Sequence, residues 1–190
     1  MTTNTTEGRP QQHTRTGPEE ELPTTLDPQG IAGRGHALPL LSAAMHSLAG
    51  TVVEVLTILT PEMIRPLDPP SATALSAVLA VAERGLDPIE TLVVGELRRT
   101  GLFTDDHQGR LLRGRIEAAA SPAVPGASFR WLAADLAADV EAAAIIAYAA
   151  ALRESVFGHE DDRTAIRTRG EAHLDDLAEV RLRLRAGGAA

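Results

Sequence analysis

The longest periodic run of the chain, about residues 128–157, contains no glycine or proline, and it constrains the fold more than any other segment. Alanine, the strongest helix former, is its commonest residue. Large apolar side chains, among them Trp131, Leu136 and Tyr148, recur along it at helical spacing. A single helix of this length would extend roughly 40 Å at about 1.5 Å per residue. Because a small domain needs less, we expect part of the helix to pack against another helix of the same or another chain.

Two shorter helices are predicted on either side of Gly85. The first runs from its N-cap Ser71 to Gly85, because glycine readily takes the left-handed conformation that closes a helix. The second begins with Asp87 as its N-cap and Pro88 at the first helical position, and it ends at Gly101.

The helix before Gly85 has Leu75 and Val78 on one apolar face, and the other predicted helices follow the same periodicity, with Leu112 and Ile116 facing inward on one of them. These other helices cover residues 40–48, 52–59, 111–120 and 171–185. Residues 104–109 and the acidic cluster at residues 159–162 are polar and are predicted to be loops. The chain has few β-branched runs and no Asn-Gly hairpin signal. These patterns predict an all-α fold, with a small helical head followed by a long helix or a helical hairpin.

Three regions are expected along the chain. Residues 1–37 are rich in Thr, Gly, Pro, Gln and Glu, a composition that cannot bury enough apolar surface to fold, so we expect a disordered N-terminal arm. Residues 38–157 are expected to form the helical domain. Residues 158–190 are expected to form a linker and a C-terminal amphipathic helix.

The composition argues against most catalytic chemistry. The chain has no cysteine, which excludes thiol nucleophiles, cysteine-ligated zinc and disulfides. It has no lysine, which excludes a phosphate-binding loop and Schiff-base catalysis. The six histidines lack metal-ligand spacing, since Arg163 stands where the second histidine of an H-E-x-x-H motif would be. We therefore expect no enzyme activity, no cofactor and no metal.

The net charge of −8 opposes an electrostatic grip on nucleic acid. The two helices around Gly85 nevertheless resemble a helix-turn-helix, so a winged-helix-like DNA-binding transcriptional regulator is the alternative interpretation. The second helix offers Ile89, Glu90 and Glu96 rather than side chains that bind base edges, and its acidic first turn would repel phosphates. No apolar run reaches about 18 residues, so we expect a cytoplasmic protein without a membrane span.

The order of these segments over residues 38–157 resembles the N-terminal domain of DnaB-type replicative helicases. The resemblance is carried by VVEVLTILTPEMIRP (52–66), LSAVLAVAERGLDPIETLVVGELRRTGLF (75–103), FRWLAADL (129–136) and AYAAALRE (147–154). Its most specific part is the succession R-G, D-P-x-x-T-L and L-x-x-x-G-L within residues 83–102. The chain departs from the family at the Pro-Ser-Ala-Ala-Asn turn between the hairpin arms, which is missing, since residues 137–146 are predicted to continue as helix.

In that family a helical head is followed by a helical hairpin through which the domains pair, and the domain receives primase and loader proteins. The resemblance implies a non-catalytic interaction and oligomerisation module, here ending at Ala190 without the family's motor domain. Its expected partners are a second copy of the chain and a replicative helicase or primase. The residues expected to mediate these contacts lie on the long helix and are Trp131, Leu136, Ile145, Tyr148 and Leu152.

Overall fold

The computed structural model describes residues 35–121 and 124–187, and only the backbone of Phe157. Most of the predicted N-terminal arm, residues 1–34, lies outside these ranges. The described residues form α-helices and 3-10 turns with no strand, which confirms the all-α prediction. The α-helices are α1 (Ala37–Met45), α2 (Ala49–Ile58), α3 (Pro61–Ile64), α4 (Pro69–Glu83), α5 (Glu90–Arg99), α6 (His107–Ala120), α7 (Phe129–Glu154) and α8 (Glu160–Ala186), with 3-10 turns at Gly126–Ser128 and Ser155–Phe157.

Helix α4 is the centre of the head, because α1, α2, α3, α5 and α6 all pack against it. Leu75 and Val78 on α4 are fully buried, as predicted from their spacing. Ala74 and Ala77 beside them are also buried, and their small side chains let the neighbouring helices approach closely. Phe129, at the start of α7, is also fully buried and joins the long helix to this core.

The predicted ends of the two helices around Gly85 are partly right. Gly85 and Gly101 have φ angles of 75° and 72°, the left-handed conformation expected where a helix closes. The predicted starts are wrong. Asp68 rather than Ser71 caps α4, whose first two residues are prolines, because proline fits where the backbone N–H has no helical partner. Asp87 does not cap α5, which begins at Glu90.

The carboxylate of Asp87 has a different partner, the first backbone amide of α2. Its Oδ1 accepts a hydrogen bond from the N–H of Ala49 at 2.9 Å. Asp87 therefore caps a helix that begins 38 residues earlier in the sequence. Local sequence could not indicate this, since the bond depends on how α2 packs against the α4–α5 turn.

Helices α7 and α8 form an antiparallel hairpin, joined by the turn at Ser155–Phe157 and the two residues after it. Near the turn the hydroxyl of Tyr148 donates to the carbonyl oxygen of Arg167 at 3.4 Å, and farther away Arg181 binds Glu141 at 2.7 Å. Helix α7 continues through residues 137–146, as predicted, and the hairpin turn lies later in the chain.

The start of α8 differs from the prediction. The acidic cluster at residues 159–162 was predicted to be a loop, but all of it except His159 forms the first turn of α8. Three carboxylates there lie at the positive end of the helix dipole, which stabilises them. The predicted loop at residues 104–109 is likewise shorter, because Asp106 caps α6 and the helix begins at His107. Acidic residues at helix starts explain both errors.

The far end of α8 returns to the head. Leu184 is 1% exposed and belongs to the same core as α4. On α7, Arg130 binds Glu54 of α2 at 2.6 Å. These contacts hold the base of the hairpin against α2 and leave its turn at the opposite end.

Candidate protein-interaction site

An open groove lies where the base of the hairpin meets the head. Its volume is about 720 Å³. The lining residues come from four segments: the α1–α2 turn, the 3-10 turn before α7, the first turns of α7 and the end of α8. They are His46, Ser47, Leu48, Thr51, Gly126, Ala127, Arg130, Trp131, Ala134, Leu184, Arg185 and Gly187.

Close backbone contacts hold the α1–α2 turn against the 3-10 turn. The Ser47 hydroxyl donates to the carbonyl oxygen of Ala43 at 2.7 Å and also to that of Gly126 at 3.3 Å. A Cβ at Gly126 would collide with the carbonyl oxygen of His46. Glycine is therefore needed at position 126 for the two segments to approach. Their contact holds the backbone at the bottom of the groove in place.

Trp131 and Leu48 are the most exposed large apolar side chains of the groove. Trp131, the only tryptophan of the chain, is 67% exposed, and Leu48 is 70% exposed. A single exposed leucine is ordinary. A tryptophan beside a leucine in a concave surface is unusual, because tryptophan is among the residues that most often anchor protein interfaces. The pair marks the groove as a candidate protein-binding surface.

The apolar periodicity predicts one helix over residues 40–48, which includes Leu48. Helix α1 instead ends at Met45, and Leu48 is the N-cap of α2 in an extended conformation. The change of direction takes Leu48 off the buried face of α1 and places it at the groove. The sequence does carry a signal for this, since two polar residues, His46 and Ser47, interrupt the apolar run immediately before it.

The apolar surface continues past Leu48. The hydrogen bond between Asp87 and Ala49 places the α4–α5 turn next to the residue that follows Leu48. Leu86 and Ile89 flank Asp87 in that turn and are both exposed. The turn that contacts Ala49 thus adds two exposed apolar side chains to those of the groove.

The described lining of the groove is positively charged, whereas the chain as a whole has a net negative charge. This lining includes Arg130 and Arg185 and no aspartate or glutamate, although acidic residues outnumber arginines 26 to 18 overall. Arg130 is neutralised by Glu54, whereas Arg185 is exposed and forms no ion pair with any residue that the structure describes. The groove therefore suits a ligand that presents apolar and acidic side chains.

The structure does not bring the five predicted interaction residues together. Trp131 lies in the groove, whereas Leu136 is 2% exposed and belongs to the core of the head. Tyr148 is half-buried against Gly170 of α8, in a contact within the chain. Leu152 is half-buried and Ile145 exposed on the outer half of α7. Leu48 and Arg185 were not predicted, because only the folded chain places them beside Trp131.

Helix α5 does not present the surface that the DNA-binding alternative requires. Glu96 is buried, and its carboxylate binds Arg84 at 2.7 Å and Arg99 at 2.5 Å. The hydrogen bonds from Arg99 and then Arg84 lower the pKa of Glu96 to about 2. Arg84 and Arg99, two cations close to the α4–α5 turn, are thus ion-paired within the protein. No strand that could form a wing is found in residues 35–121 and 124–187.

The carboxylates beside histidines have structural roles in the part of the chain that is described. The Asp106 carboxylate accepts a hydrogen bond from the N–H of Gly109 at 2.8 Å, which caps α6 and lowers the pKa of Asp106. Within the described ranges, no three His, Cys, Asp or Glu side chains are grouped so as to hold a metal ion. No described helix is both long and apolar enough to cross a membrane.

No protein-family model matches the chain, and no curated protein or solved structure is significantly similar to it.

Proposed function

We propose that this protein is a non-catalytic protein-interaction and oligomerisation module of the type found at the N-terminus of DnaB-type replicative helicases. It would act in the cytoplasm during DNA replication, with a replicative helicase or primase as its partner. The observation that carries the proposal is the groove in which Trp131 and Leu48 are exposed to solvent. Such anchors typically become buried when a partner binds.

The arrangement of the helices supports the same proposal. A group of helices, α1 to α6, precedes the α7–α8 hairpin, and the resemblance to the helicase domain implies the same order, although the second arm, α8, follows the residues 38–157 that carry the resemblance. The groove lies at the junction of these two parts and includes residues from both. A partner seated there would contact the head and the hairpin at once.

Fluorine NMR of the full chain, grown with 5-fluorotryptophan, tests the proposal directly. The chain has one tryptophan, so one resonance reports on the groove even when the partner contains tryptophan. We expect this resonance to shift or broaden when unlabelled replicative helicase or primase from the same organism is added. Size-exclusion chromatography with light scattering should show the corresponding complex.

Trp131→Ala should weaken that complex at least about 30-fold, because an interface tryptophan typically contributes about 2 kcal/mol or more. Leu111→Ala is the matched control, since Leu111 is an exposed apolar residue of α6 outside the groove. If neither partner changes the resonance, helicase and primase are not partners of this protein. If the two variants bind a partner equally well, the groove is not the surface that binds it, and the proposal fails.

A further inference from the structure

The end of the hairpin farthest from the head carries exposed carboxylates, which the described lining of the groove lacks. We define the tip as residues 153–163. All of its charged side chains are exposed, and none forms an ion pair with another residue in the described ranges. They are the carboxylates of Glu154, Glu160, Asp161 and Asp162 and the guanidinium groups of Arg153 and Arg163. Val156, in the middle of the tip, is an exposed apolar side chain.

The tip and the groove are complementary in both charge and polarity. The groove provides Trp131, Leu48 and Arg185, and among the described residues Arg185 has no ion-pair partner and the lining has no carboxylate. The tip provides an excess of carboxylates and, among its described side chains, the exposed apolar group of Val156. Opposite charges at the rim and apolar groups at the centre are the usual composition of a specific protein interface.

The two surfaces cannot meet within one chain. Trp131 lies near the start of α7 and the tip begins at its end, and the helix has 26 residues. At about 1.5 Å per residue this separates them by roughly 35 Å. The contacts along α7 and α8, such as Arg181 with Glu141, hold the two arms side by side and prevent the hairpin from folding back.

We propose that the hairpin tip of one copy docks into the groove of a second copy. This inference rests on the proposed function in one respect, that the groove binds protein, and it names the occupant. The contact joins two different surfaces, so each copy still has one free tip or one free groove. Two copies that seat both tips at once form a closed dimer, and repetition through more copies produces a larger closed ring or an open chain.

The interface is small and partly electrostatic, so assembly should increase with protein concentration and decrease with salt. Sedimentation velocity of the full chain over a concentration series, at low and high salt, measures this. We expect wild type to exceed the mass of a monomer at high concentration and low salt. Asp161→Arg with Asp162→Arg should abolish assembly, whereas Asp175→Arg with Asp176→Arg, an equal charge change at exposed positions of α8 outside the tip, should not.

A mixing experiment distinguishes the docking of a tip into a groove from a contact between two identical surfaces. One chain carries Trp131→Ala and keeps its tip, and the other carries the Asp161→Arg and Asp162→Arg pair and keeps its groove. Each should be monomeric alone. Their mixture should form a 1:1 dimer that does not grow, because only one tip and one groove remain functional. Helical circular dichroism and thermal melts confirm that each variant is folded.

Three results would overturn the inference: a monomeric wild type at every concentration, assembly of the tip variant equal to wild type, or a mixture that stays monomeric. The proposed function is tested separately. A monomeric wild type whose tryptophan resonance still responds to helicase or primase would remove the self-docking inference alone. A tryptophan resonance that responds to neither, in a chain that assembles as described, would remove the helicase and primase partners alone.

Discussion

The ring of Tyr148 lies directly against Gly170, where the two arms of the hairpin pack together. A Cβ added at Gly170 would overlap this ring. We predict that Gly170→Ala destabilises the wild-type protein but stabilises a protein that already carries Tyr148→Ala. Whether Gly170→Ala raises or lowers stability should therefore depend on which residue occupies position 148.

Two opposing contributions determine the magnitude. Glycine inside a helix is about 1 kcal/mol less favourable than alanine, so the substitution alone favours α8. Forcing a methyl group into an occupied contact typically costs about 1–3 kcal/mol. With Tyr148 present, we expect a net loss of up to about 2 kcal/mol, and with Tyr148→Ala a gain of about 1 kcal/mol. The coupling energy between the two sites should thus be about 1–3 kcal/mol.

Urea unfolding of the four proteins of this cycle, followed by helical circular dichroism, measures the coupling. Thermal melts provide a second measure, since 1 kcal/mol should shift Tm by about 2–4 °C in a chain of this size. Gly114→Ala is the matched control, because a Cβ at this position of α6 has no atom within 4 Å, and it should increase stability in both backgrounds. If Gly170→Ala has the same sign in both backgrounds, the packing argument is refuted.

Three further substitutions test the head. Glu96→Gln removes a carboxylate whose pKa is lowered from 4.5 to about 2, so wild type should lose stability as the pH falls through this range and the variant should lose less, measured by urea unfolding at each pH. Asp87→Ala removes the acceptor for the amide of Ala49 and should cost about 0.5–2 kcal/mol, with faster hydrogen exchange at the start of α2. Leu75→Ala should cost about 2.7–5 kcal/mol, whereas exposed Leu111→Ala should change stability by less than about 0.5 kcal/mol; equal losses would contradict the assigned core.

Local sequence patterns were sufficient for the helical class and for much of the core. The spacing of Leu75 and Val78, and of Leu112 and Ile116, identified the buried faces of α4 and α6. These predictions succeed because a helix of fixed period must bury its apolar stripe, whichever element covers it. The same patterns do not specify the covering element, so they left open whether the long helix would pair within the chain or with another one.

The candidate site was predicted less completely. Trp131 was singled out as an interaction residue from its type and position, and its exposure makes that interpretation stronger. Leu136 was grouped with it because both are large and lie on one helix, yet one faces solvent and the other belongs to the core. A helical repeat predicts which residues share a face of the helix. It does not predict which parts of a long helix are covered by other helices and which are exposed to solvent.

The sequence by itself determined the helical class, the helix ends at Gly85 and Gly101, and the continuity of α7, because each depends on backbone preferences over a few neighbouring residues. Only the tertiary structure decided that Asp87 caps α2, that α8 folds back along α7, and that Leu48 and Arg185 line one groove with Trp131. Those features join residues far apart in the chain, and no local propensity specifies which distant segments come into contact.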